Sequence, residues 1–155
     1  TALPSRRLAE GYERLRDRSD ALQGREGRRP RIVLAQLGPV AAHTARSTFA
    51  RNAFEAVGIE ALPVLAAPGG DGLAAALREA GTGLVCLCSS DEIYAGEAEP
   101  AARALAAAGA ARIYLAGRPS PDDEARWRAA GVTGFVGVGS DLLVLGEDAL
   151  AAGGA

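Results

Sequence analysis

The chain has 155 residues, a formal net charge of −2 and 48% apolar residues, which suits a single domain burying roughly 70% of its unfolded surface. A slightly acidic chain with 5% aromatics has neither the basic face of a nucleic-acid platform nor the rings that stack single strands, and no stretch approaches the ~20 consecutive apolar residues of a membrane span. The charged start lacks an apolar leader segment, and the chain opens on Thr1 and contains no Met, so the expectation is a piece of a longer, cytoplasmic protein.

Residues 1–30 read as a separate unit, an amphipathic helix and linker left over from a preceding domain. Ser5 can cap the helix, Leu8, Tyr12, Leu15 and Leu22 form one stripe, Gly24 is expected to stop it, and Arg25–Pro30 follows as linker. One narrow stripe needs a surface to lie on, and an absent neighbouring domain is the favoured one. Residues 31–152 then alternate strictly. Strands are predicted at 31–37, 59–64, 83–88, 112–116 and 132–138. Helices are predicted at 41–57, 71–80, 91–108, 121–130 and 141–152. Gly58, Gly81, Gly109 and Gly131 stand where helices close. Continuous apolar strands in such alternation predict a parallel sheet covered by helices on both faces, and five strands predict the flavodoxin-like (Rossmann-like) order 2-1-3-4-5. Cys86 and Cys88, two apart on one strand, point to the same face and read as small buried thiols in a reducing compartment. With a single His, the chain is short of ligands for zinc.

In this order a ligand sits outside the carboxyl ends of the strands, at the switch point between strands 1 and 3. The loops to inspect are 38–43, 88–92, 117–120 and 137–141. The first has neither a GxGxxG fingerprint nor a Walker lysine. It holds His43, which reads as a capping or surface residue, as a general base without an acid to orient it, or as a metal ligand. Ser89-Ser90-Asp91-Glu92 reads as a helix N-terminus capped by Ser90, while Cys88 as a nucleophile lacks a base. Arg118 is placed either in solvent or against an anion in the crevice. Gly137 and Gly139 would let a phosphate approach backbone amides, although Asp141 would resist it. The acids of a response regulator and the flavin loops of a flavodoxin are absent.

The segments RPRIVLA (29–35), FARNAFEAVGI (49–59), LVCLCSSDEIY (84–94), IYLAGRP (113–119) and AAGV (129–132) resemble the C-terminal cobalamin-binding domain of the methylmalonyl-CoA mutase family. LGPVAAHTAR and CLCSSDEIYA look like its small (beta) subunit. In cobalamin-binding members the loop after strand 1 reads Asp-x-His-x-x-Gly: the His ligates cobalt from below, the Asp orients it and the Gly admits the nucleotide tail. Here the window is Ala41-Ala42-His43-Thr44-Ala45-Arg46, which keeps the His, replaces the Asp by Ala41 and the Gly by Arg46. The Ser-x-Leu signature falls on Cys88-Ser89-Ser90, and Gly-Gly on Ala116-Gly117. Loss of an orienting carboxylate weakens a metal ligand by about 10–100-fold. The resemblance therefore implies a non-catalytic, structural domain with a degenerate crevice, paired as a heterodimer with a large (alpha) subunit that carries adenosylcobalamin and the methylmalonyl-CoA/succinyl-CoA isomerisation. Its alternative is a domain that still binds cobalamin in a crevice lined by His43, Ser89, Gly117 and Gly139, with His43 as the lower axial ligand of cobalt.

Overall fold

The computed structural model describes residues 2–154, with side chains from residue 8 onward. Five parallel strands, β1 (Arg31–Gln36), β2 (Glu60–Leu65), β3 (Leu84–Cys88), β4 (Arg112–Ala116) and β5 (Gly134–Val136), form one sheet in the order β2-β1-β3-β4-β5. This is the flavodoxin-like arrangement expected from the alternation of elements. Residues alternate between the two faces, as the pleat requires. Ile32, Leu34, Leu84, Cys86, Cys88, Tyr114 and Ala116 meet α1 (Ala2–Glu26), α2 (Val40–Glu55) and α6 (Leu142–Ala152). Val33, Ala35, Val85, Leu87, Ile113 and Leu115 meet α3 (Leu73–Ala80), α4 (Asp91–Ala107) and α5 (Pro121–Ala130). Both cysteines are free and buried on one face, and burial holds the Cys86 thiol well above its ordinary range, so it is an inert core group.

Several boundaries differ from the sequence reading. α1 runs through Gly24 to Glu26, and Gly27, with φ +79°, closes it by donating to Gln23 O. Buried Leu22 anchors the last turn, and such packing outweighs the ~1 kcal/mol helix penalty of a glycine. The side chain of Ser5 lies outside the described residues. α3 starts at Leu73 rather than Asp71, because a 3-10 turn at Pro68–Gly70 precedes it and Gly69, Gly70 and Gly72 all adopt positive φ. The β5 ladder is only three residues long, Gly134–Val136 against β4 at the sheet edge.

Part of the α1 stripe packs on this domain, while Leu8 is 51% exposed. Leu15 and Tyr12 join the core cluster beneath α6, and Ser19 is fully buried. Its hydroxyl donates to Gly58 O at 2.5 Å and accepts from Arg29 Nη1 at 3.0 Å. The approach is so close that a Cβ on Gly58 would lie 2.6 Å from Ser19 Cβ.

Candidate functional site

The switch point lies between the carboxyl ends of β1 and β3, where the chain leaves β1 toward α2 and β3 toward α4. Three of the four expected crevice residues, His43, Ser89 and Gly117, lie near it, in different roles. His43 is in the first turn of α2, and it heads the buried stripe His43-Ser47-Ala50-Phe54. That spacing turns the imidazole toward the sheet. It is 4% exposed, and neither ring nitrogen meets a hydrogen-bond partner among the described residues. One turn on, Ser47 accepts a hydrogen bond from Gln36 Nε2 at 3.2 Å, so this end of the α2–sheet interface is polar. An unpartnered buried polar group costs about 1–3 kcal/mol. His43→Leu, which keeps the volume and removes both nitrogens, is accordingly expected to leave the domain as stable as wild type or about 1 kcal/mol more stable. A thermal melt reads this directly, and a fall of several degrees would show that the imidazole is held by a partner.

Ser89 follows the last residue of β3 with its backbone and side chain committed. Its hydroxyl donates to Leu37 O at 2.7 Å, tying the ends of β1 and β3, and its N–H donates to Tyr94 Oη at 2.9 Å. Ser90 caps α4 as expected, accepting from Ile93 N at 3.3 Å. Tyr94, one turn into α4, is the residue that sequence reasoning passed over. Its hydroxyl also reaches Ala116 O at 2.5 Å and Leu87 O at 3.1 Å, so a single phenol joins the ends of β3 and β4. Burial raises its pKa well above the usual phenol range, and it stays a neutral donor. The one hint in the sequence is its place four residues after the capping Ser90.

Across this floor lies Arg46. From the second turn of α2 its Nη1 donates to Ser89 O at 3.0 Å and to Asp91 Oδ1 at 2.8 Å. Its guanidinium carbon stands 5.4 Å above the Tyr94 ring centroid, within cation–π range. A Cβ on Gly117 would sit 3.2 Å from the same carbon, so Gly117, with φ +145°, lets the β4–α5 loop close over the guanidinium. Hydrogen bonding and the charge of Asp91 raise the Arg46 pKa against the opposing effect of its burial, so it is a permanent cation. Ser89 and Gly117 are thus brought together, with Arg46 between them.

Gly139 is apart from this group. It is exposed, and its nearest side chain is Arg118, whose Nη1 is 3.6 Å from a Cβ built there. Gly137 N donates to Ser140 Oγ, Ser140 N donates to Gly137 O, and in the first turn of α6 Leu143 N and Val144 N donate to Asp141 Oδ1. Asp141 is the cap of α6, and the loop offers a phosphate little. Among the described residues no group of three or more His, Cys, Asp or Glu is placed to hold a metal ion, and no helix is long and apolar enough to cross a membrane.

No protein-family model matches the chain. It is 50% identical over 116 residues to the methylmalonyl-CoA mutase small subunit of Streptomyces virginiae, a match covering 75% of this chain and 19% of that protein. It is 44% identical over 115 residues to the probable methylmalonyl-CoA mutase small subunit of Mycobacterium tuberculosis, covering 74% and 18%. It is 32% identical over 111 residues to the methylmalonyl-CoA mutase small subunit of Propionibacterium freudenreichii subsp. shermanii, covering 72% and 17%. The chain therefore spans about a fifth of the length of these relatives. Among solved structures, a cobalamin-binding protein from Desulfitobacterium hafniense DCB-2 superposes with a TM-score of 0.55 at 19% identity, over 88% of this chain and 65% of that one. At that identity the likeness speaks for the fold alone.

Proposed function

The chain is a homologue of the methylmalonyl-CoA mutase small subunits, and from that premise we propose that it is their cobalamin-binding-type domain in degenerate form. Its role is structural. It belongs to a small subunit that pairs with a large catalytic subunit, and the large subunit carries adenosylcobalamin and the methylmalonyl-CoA/succinyl-CoA rearrangement, whose radical chemistry is the cofactor's own. The observation that supports this reading is Arg46, seated between Ser89, Asp91, Tyr94 and Gly117 where a ligand would enter.

The rest of the donor set is no better suited to a tightly held cobalamin. His43 is turned into the α2–sheet interface, and no carboxylate stands at the exposed position 41 to orient it. The Ser89 hydroxyl is spent on Leu37 O. A second reading, weak cobalamin binding through His43, draws on the lack of partners for its ring nitrogens.

A visible-absorption titration of the chain with hydroxocobalamin separates the two. The structural role predicts a spectrum equal to the sum of protein and free cobalamin at every ratio. Saturable uptake in the base-off form, abolished in His43→Ala, would overturn it in favour of the second reading.

A further inference from the structure

We infer that the crevice at the switch point is a seat for a planar guanidinium-type cation, filled in cis by Arg46. Every wall suits a flat cation. Ser89 O supplies a carbonyl acceptor at 3.0 Å and Asp91 a carboxylate at 2.8 Å. Tyr94 supplies a ring face 5.4 Å from the guanidinium carbon, and Gly117 leaves the fourth side open, where a Cβ would stand 3.2 Å away.

These walls come from two places in the chain: the β3–α4 junction from Ser89 to Tyr94, and the turn after β4. The occupant comes from a third, α2. The Arg46 side chain is 30% exposed although its partner Asp91 is 79% exposed. An ion pair with an exposed carboxylate alone contributes about 0–1 kcal/mol, and both hydrogen bonds leave one nitrogen, Nη1, so the carbonyl, the Tyr94 ring and the close pass of Gly117 over the guanidinium carbon, Nη1 and Nε define the seat. A lysine ammonium offers a point charge without the flat face that lies between Tyr94 and Gly117.

The test is chemical rescue in the full chain. Arg46→Ala keeps helix propensity in α2 and empties the seat. It is expected to melt below wild type, and methylguanidinium at millimolar concentration is expected to restore about 2–4 °C of the lost Tm by mass action on the folded state. Wild type, with the seat filled, should gain nothing. Methylammonium at equal ionic strength should restore little, and Arg46→Ala/Asp91→Ala should lose most of the rescue. Where Arg46→Ala is too unstable to melt cooperatively, Arg46→Lys replaces it; it should melt below wild type and gain from methylguanidinium. The inference is overturned if the Arg46 variants melt with wild type, if the two cations act alike, or if rescue survives removal of the Asp91 carboxylate.

Discussion

Gly58→Ala is expected to lower stability by about 2–4 kcal/mol, a fall in Tm of about 6–12 °C, and to loosen α1. Two effects add at this position. Gly58 has φ +86°, where an L-residue costs about 1–2 kcal/mol. The new methyl would also stand 2.6 Å from Ser19 Cβ and 2.7 Å from Ser19 Oγ, so either the α2–β2 turn or α1 must move. Movement breaks the buried bond from Ser19 to Gly58 O and disturbs Arg29, which also pairs with Asp20 at 2.6 Å.

Gly109→Ala is the matched control, because Gly109 has φ +87° but no atom within 4 Å of its built Cβ. It should show the conformational part alone, about 1–2 kcal/mol. Trypsin should cut the arginine-rich α1 of Gly58→Ala faster than that of the control. If the two variants melt together and are cleaved alike, α1 does not depend on this contact, and the reading of its stripe as packed in part on this domain fails.

That stripe shows how far the sequence could be followed. Leu15 and Leu22 were legible as one helix face, but periodicity gives a face and not its partner. The partner is set by close approaches that only the folded chain displays: Gly58 against Ser19, and Gly146, whose Cβ would lie 2.8 Å from Val57 and 3.2 Å from Leu15. The sheet was legible for the opposite reason. Apolar strands bounded by glycine caps are local signals, and the strand order follows from their number and from the crossover rule. At the crevice, sequence reasoning singled out Arg46 as a bulky replacement for glycine, but not what receives it. Asp91 read as a helix-start acid, and Tyr94 was given no role of its own. Their roles come from long-range contacts, 45 residues from Arg46 to Asp91 and 22 from Tyr94 to Ala116, which no short motif encodes. His43 was legible as a position and not as an environment: its burial follows from α2 beginning at Val40, which places it inside the helix stripe.

Tyr94→Phe should be the second costly change, by about 2–4 kcal/mol, although it removes one oxygen atom. The phenol accepts from Ser89 N at 2.9 Å and donates to Ala116 O at 2.5 Å. Ser89 is fully buried and Ala116 is 1% exposed, so water has no ready path to either group when the oxygen is gone, and each orphaned backbone group costs about 1–3 kcal/mol. The ring itself is retained, with its edge contact to Trp127 at 5.7 Å and its face under Arg46. The loss therefore reports the hydroxyl and not the packing.

Tyr114→Phe provides the contrast. Its hydroxyl donates to Asp148 Oδ2 at 2.6 Å, but Arg112 Nε still bonds both oxygens of that part-exposed carboxylate, so about 1 kcal/mol or less is expected. Urea unfolding of the two variants compares them at constant ring volume. Equal losses would mean that the Tyr94 hydroxyl is replaceable by solvent and that the crevice floor is open. A large loss confined to Tyr94→Phe would place the floor of the crevice inside the cooperative core: the groups that would have to turn toward a ligand there, the backbone of Ser89 and the end of β4, are the ones that hold β3 and β4 together.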